Sequence, residues 1–300
     1  MLRIAWSPEY NLELPPGHRF PMIKYDLIKE HLLYEGVIEQ KNLFKPELVA
    51  DSDFKLTHDP KYLGRLKSLE ITSKEIRKIG FPLSNGLVLR EFLIASGTVQ
   101  CCDHARAFGV SLNIAGGTHH AYYDYGEGFC ILNDQAIAAN ILLSRNIVSK
   151  ILIVDLDVHQ GNGTAKLFEN EPRVFTMSFH GAKNYPFKKE HSDLDVAFDD
   201  DTGDDLYLSI LEASLNKVFN DFEPDFVFYQ SGVDGLSNDK LEKLSLTVDG
   251  LKTRDNLVLS HCQKSSVPVV VSMGGGYSSS LYEIVEAHVN TFRVARELYD

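Results

Sequence analysis

The 300-residue chain has few cysteines, and none are arranged to form a staple or a ligand cluster. Cys101, Cys102, Cys130 and Cys262 make no C-x-x-C pair and no disulfide-like spacing, which fits core thiols in a reducing compartment. No run of roughly eighteen apolar residues occurs, so nothing reads as a membrane-spanning helix. Leu2 to Trp6 already reads as a strand, with no basic segment and apolar stretch before it, so a cytoplasmic location without a membrane partner is expected. Positive charge is scarce as well: 30 Lys and Arg stand against 42 Asp and Glu, a formal net charge of −12. That balance argues against direct nucleic-acid binding and makes a basic or cationic substrate electrostatically more plausible. There is no low-complexity linker, internal repeat or dividing charge block, so residues 1–300 are expected to form one domain.

Hydrophobic patterning gives the architecture. Apolar residues recur at helical spacing over Met22 to Tyr34, Tyr62 to Leu69 and Val88 to Phe108. From there short apolar runs, Val110 to Ile114, Ile151 to Val154, Val174 to Ser178, Phe226 to Tyr229 and Pro268 to Ser272, read as strands. Between and after them, Gln135 to Ser144, Ala165 to Glu169, Asp204 to Phe222, Val248 to Cys262 and Leu281 to Leu298 read as helices. Such alternation predicts an α/β chain of three layers, α/β/α, around a mostly parallel sheet. The acidic Asp199-Asp200-Asp201 reads as a solvated turn, since the ligand pattern of a calcium loop is missing.

Four of these segments end in chemistry. After Ile151-Leu-Ile-Val come Asp155, Asp157, His159 and Asn162; on an extended backbone Asp157 and His159 point to the same side. They read either as metal ligands or as a solvated strand end. The strand Val110 to Ile114 runs into Gly116-Gly117-Thr118-His119-His120, and Gly126 to Cys130 beyond it reads as a tight pocket floor. Asp234 follows the third strand past Gly232, as a third ligand or as the N-cap of a turn. Gly274-Gly275-Gly276-Tyr277 follows the fourth, with no Lys-Ser/Thr to make it a phosphate loop, so it reads as a loop hugging a small cavity. Carboxyl ends of parallel strands share one edge, so the four would meet in one cleft. Three ligands with an open position make a catalytic rather than a structural zinc arrangement.

Taken in order, GGTHHA (116–121), GEGFCILND (126–134), DLDVHQGNGT (155–164), QSGVDGLSNDKLEKLSLT (230–247) and GGGY (274–277) resemble the zinc-dependent histone deacetylase superfamily over nearly the whole chain. This group includes acetylpolyamine amidohydrolases and bacterial deacetylase-like proteins; the HQGNG form and the stretch from Tyr229 to Asp255 are most similar to its class IV branch. The resemblance implies an arginase/deacetylase-like fold and a metal, zinc or ferrous iron, on Asp157, His159 and Asp234. It implies His119 and His120 as a base dyad, oriented by Asp155 and Asn162, and Tyr277 as the donor to the oxyanion. It implies a structural potassium ion on Asp155, Asp157, His159, Ser178 and Phe179. Phe129 and Tyr185 would wall an acyl-lysine tunnel, Gly275 and Gly276 would line the substrate site, and Arg19 would sit in an internal cavity beneath the metal.

The implied reaction is amide hydrolysis, removing acetyl or longer acyl groups from lysine of a protein or peptide through a metal-activated water; an acylated polyamine is the alternative substrate. Asn162 stands where many relatives carry Asp, so His120 should have the lower pKa of the two histidines and act as general base and acid, while His119 works electrostatically. Gln160, where many relatives carry His, is expected to alter support around the metal. A binuclear manganese ureohydrolase would need further Asp ligands, yet Gly235-Leu236 follow Asp234. A non-catalytic acyl-lysine binder would be expected to lack part of this set. Oligomeric state is not legible.

Overall fold

The computed structural model describes residues 1–239 and 243–300, so 240–242 of the 230–247 motif lie outside the described residues. Its strands are β1 (Arg3–Ala5), β2 (Leu43–Phe44), β3 (Val110–Asn113), β4 (Ile151–Asp155), β5 (Val174–Gly181), β6 (Leu194–Phe198), β7 (Phe226–Ser231) and β8 (Val269–Met273). Helices are α1 (Lys24–Tyr34), α2 (Asp51–Phe54), α3 (Pro60–Lys67), α4 (Ser73–Ile79), α5 (Asn85–Phe108), α6 (Asp134–Ser144), α7 (Asn162–Phe168), α8 (Asp204–Phe222), α9 (Val248–Lys264) and α10 (Leu281–Tyr299). The strands form one sheet in the order β2-β1-β3-β8-β7-β4-β5-β6, and every pairing is parallel, where a mostly parallel sheet was expected.

Every residue of β4, β7 and β8 is buried, because helices cover both faces of the sheet. Alternate residues feed two separate cores. Ile151, Ile153, Phe226, Phe228 and Val270 pack with Cys101 and Cys102 of α5 and Ala138 and Ala139 of α6. Leu152, Val154, Val227, Tyr229 and Val271 face the core that holds Leu211 of α8, Val258 of α9 and Val289 of α10. All four cysteines are buried free thiols.

The two outermost strands carry no readable signal. β2 is two residues long, and β6 alternates Leu194, Val196 and Phe198 with the exposed Asp195. The four-residue α2 and the seven-residue α4 were not expected either. α7 begins at Asn162, three residues before the helix expected from Ala165, because glycines score poorly as helix formers. Gly163 is needed there: a Cβ would come within 2.7 Å of the His119 carbonyl, so only glycine lets α7 pack against the backbone of the two histidines.

Strand order fixes the site. β3, β8, β7 and β4 are neighbours, so their four carboxyl ends lie within roughly 15 Å along one edge.

Candidate active site

A carboxylate oxygen from each of Asp157 and Asp234 and a ring nitrogen of His159 lie within 4.8 Å of one another. His159 Nδ1 is 2.9 Å from Asp157 Oδ1 and 3.1 Å from Asp234 Oδ2. An extended strand was expected to align Asp157 with His159, but β4 stops at Asp155 and the chain bends. Alignment comes instead from an Asx-type turn in which the His159 N–H donates to Asp157 Oδ1 at 3.0 Å. Backbone amides hold both carboxylates: Val158 N–H donates to Asp234 Oδ1 (3.0 Å) and Gly275 N–H to Asp157 Oδ2 (2.7 Å). Two buried carboxylates and an imidazole converging on one point are a donor set that suits a zinc-like divalent ion.

The glycine loop has a steric reason. A Cβ on Gly275 would run into Asp234 Oδ2, and one on Gly274 would come within 2.6 Å of Gly232 Cα. Lys24, fully buried on α1, donates from Nζ to the Gly274 carbonyl at 2.9 Å and pins the loop from behind. Behind the ligands, Arg254 donates to the carbonyls of Leu156 and Gly232, the residues beside the β4 and β7 ligand turns. Asp255 holds this guanidinium at 2.8–3.0 Å and is itself held by Tyr229 and Thr291.

His119 and His120 are buried with ring centroids 4.0 Å apart, and they have different partners. His119 Nδ1 lies 2.6 Å from Asp155 Oδ2. Burial opposes charge on His119, but Asp155 in contact and Asp157 beyond it outweigh that, and its pKa is raised. His120 Nδ1 lies 2.6 Å from Asn162 Oδ1. Burial, then the neighbouring His119 and His159, drive the His120 pKa well below the usual imidazole value, and the neutral amide does little to oppose them.

Residues 18–292 match the model of the histone deacetylase domain. The chain belongs to the histone deacetylase family. It is 42% identical over 296 residues to an uncharacterized protein of Picosynechococcus sp., covering 99% of each chain. It is 29% identical over 295 residues to histone deacetylase 2 of Arabidopsis thaliana, covering 94% of this chain and 76% of that one. The crystal structure of the HDA15 HD domain superposes with a TM-score of 0.84 at 20% identity, covering 99% of this chain and 88% of that one. A histone deacetylase homologue from Aquifex aeolicus gives 0.82 at 24% identity, covering 97% and 82%. At such identities the two structures speak for the fold, an arginase/deacetylase-type α/β sheet, and the family places this chain among deacetylase hydrolases.

In this family member the two histidines, Asp157, His159 and Tyr277 line one cavity of about 460 Å³. Phe129 and Tyr185 line it too: the Tyr185 ring stands edge-on to His120 at 5.1 Å, and Phe129 lies 6.1 Å from Tyr277. Phe129 adopts φ +66°, and a Cβ on Gly128 beside it would come within 2.7 Å of the His120 ring, so the turn is built tight against the dyad. Burial, then the charges of Asp234 and Asp157, keep the Tyr277 phenol protonated by raising its pKa. Ser178 pairs in register with Asp155 across β4 and β5, with Phe179 next to it on β5.

Two expectations are corrected. Arg19 does not reach an internal cavity: it is exposed, with its guanidinium 5.3 Å from the Phe129 ring centroid at the mouth. The buried Tyr25, Ile94 and Arg90 line the cavity as well, and the Arg90 charge is matched by Glu91. Gly276 does not line the cavity as Gly275 does; a Cβ there would meet Val233 and Ile284. Glu127 escaped the sequence reading. It is buried and accepts from Asn162 Nδ2 at 2.8 Å, which fixes which way the Asn162 amide faces. Its place in Gly126-Glu127-Gly128 was the only available signal. Gln160 exchanges bonds of 2.8–2.9 Å with the Glu190 backbone and reaches Asp195 on β6, so it anchors the loop that carries Tyr185.

Proposed function

We propose that this chain is a zinc-dependent deacylase that hydrolyses the side-chain amide of acyl-lysine in peptides or proteins. Asp157, His159 and Asp234 would hold the metal, with ferrous iron as the other candidate for the same donors. Asp155 and Ser178, with main-chain oxygens of Asp157, His159 and Phe179, would hold potassium. A divalent ion in such a site acts as a Lewis acid and lowers the pKa of water to about 7.

The chain's own groups do the rest. Asn162 donates to Glu127, so its Oδ1 faces His120 and accepts a hydrogen bond from Nδ1–H. Nε2 of His120 is thereby left bare, the correct tautomer for a general base that later returns its proton to the leaving amine. His119, tied to Asp155, carries positive charge beside the developing oxyanion. Tyr277 donates its hydroxyl proton to that oxygen, and Phe129 and Tyr185 enclose the methylene stem and exclude water.

The observation that carries this reading is the pairing of two adjacent buried histidines with unlike partners, one carboxylate and one amide, beside an Asp-His-Asp cluster. Acyl-lysine peptides with acyl chains of graded length, run beside acetylpolyamines with metal content measured, test it. Absence of turnover on every peptide by metal-replete enzyme would refute it.

A further inference from the structure

The mouth of the tunnel carries charge opposite to that of the molecule. Among the described residues lining the cavity, Arg19, Lys78, Lys183 and Lys243 are exposed cations, and the only carboxylate is Asp157 of the ligand cluster. They come from four separate segments and converge on the rim of one opening. Asp200 pairs with Lys183 at 3.0 Å and with Lys243 at 3.7 Å, and Glu127 pairs with Lys78 at 2.5 Å. Among the described residues these two carboxylates leave about two of the four charges without a carboxylate in contact, Asp199 and Asp201 acting on Lys183 only from further off. No described carboxylate pairs with Arg19, which rests on the face of Phe129. On the same rim Phe187 is 94% exposed although the Tyr185 ring stands 6.5 Å away, and the exposed Lys188 follows it.

We propose that this mouth selects acyl-lysine within an acidic peptide segment, with Asp or Glu flanking the modified residue, and discriminates against acylated polyamines. The inference rests on the deacylase reading and narrows its substrate class. An acidic flank meets the unmatched cations while Phe187 covers the apolar part of the segment. A polyamine brings ammonium groups of the same sign as the rim. Exposed charges about 6 Å apart in water change an equilibrium by about threefold per pair, so two pairs give about tenfold, and salt screens both.

The test compares one acyl-lysine peptide sequence with flanking Glu, Gln or Lys, alongside acetylspermidine. The readouts are kcat/KM at about 0.02 M and about 0.5 M salt and Kd by fluorescence anisotropy. The expected order is Glu over Gln over Lys, with about tenfold from Glu to Gln and about a hundredfold between the extremes at low salt, and a much smaller span at high salt. The double variant Lys183→Glu/Lys243→Glu is expected to reverse the order; its thermal unfolding and circular dichroism report whether it has folded. Equal Kd values for the three peptides, a preference for Lys, or acetylspermidine turned over as fast as the Glu peptide would overturn the inference. Acidic preference in Kd without turnover of any peptide would uphold the mouth and refute the deacylase reading.

Discussion

Replacing Asn162 with Asp should move the acid limb of the pH profile upward, and the contacts set the size of the shift. His120 Nδ1 is 2.6 Å from Asn162 Oδ1, while Asn162 Nδ2 donates to Glu127 at 2.8 Å and to the Tyr122 hydroxyl at 3.0 Å. The amide cannot turn over without setting its own oxygen against the Glu127 carboxylate. Exchanging a neutral partner for a charged one strengthens a hydrogen bond from about 1 kcal/mol to roughly 2–3 kcal/mol. The gain goes to the imidazolium, so the His120 pKa should rise by about one unit. A raised pKa leaves less of the bare base at a given acidic pH, so the limb of kcat/KM moves to higher pH by about the same amount. The introduced carboxylate would face Glu127, and if one proton stays between the two acids part of the effect is lost. Adding Glu127→Gln removes that competition and should restore the full shift. The assay is kcat/KM of metal-replete enzyme from about pH 5 to 9. An acid limb that stays put in both the single and the double variant would refute His120 as the base.

Three other outcomes follow from the same geometry. Asp234→Asn keeps an oxygen for the Val158 N–H but removes a ligand charge, so metal content by mass spectrometry should fall well below that of the parent while the fold survives. Tyr277→Phe should lower kcat by about 100- to 1,000-fold with metal content retained; a loss under tenfold would remove it from oxyanion stabilisation. His58 is fully buried, bonded at Nδ1 to the Tyr122 carbonyl and at Nε2 to the Asn133 N–H, and burial lowers its pKa from 6.5 to about 4. The unfolded chain therefore binds the extra proton first. Stability is undiminished above about pH 6.5 and should fall by up to about 3 kcal/mol as pH drops towards 4. Urea unfolding across that range should have a flatter pH dependence in His58→Gln, and an unchanged slope would exclude His58 as its source.

What could be read from the sequence depended on burial. β4, β7 and β8 are buried on both faces and so appear as unbroken apolar runs, and the loops that follow them hold Asp157, Asp234 and the glycine loop. α8 begins and ends where its pattern placed it, at Asp204 and Phe222. β6 lies at the sheet's edge and mixes Asp195 with its apolar residues, so its pattern is blurred. Contacts between distant segments left no local trace either. Nothing in the Glu127 segment says that its carboxylate will orient an amide thirty-five positions away, or that a buried Arg90 of α5 will line the cavity together with the exposed Arg19.

Net charge was the least informative quantity of all for the substrate. A formal −12 spread over the surface favours cationic partners at long range, but a Debye length of about 8 Å at physiological salt confines recognition to the charges within reach of the opening. There the exposed charged side chains, among the described residues, are Arg19, Lys78, Lys183 and Lys243. They are far apart in the sequence, so no window of composition could reveal them as one group. On the proposed reading the net negative charge and the basic rim would act on the same substrate in opposite senses, and the rim, being closer and less screened, would prevail. Neutralising Asp200, which matches two of those lysines, should therefore strengthen binding of acidic peptides although the overall charge moves by only one unit. Asp200→Asn with an unchanged or weaker Kd for the Glu-flanked peptide would return the argument to net charge.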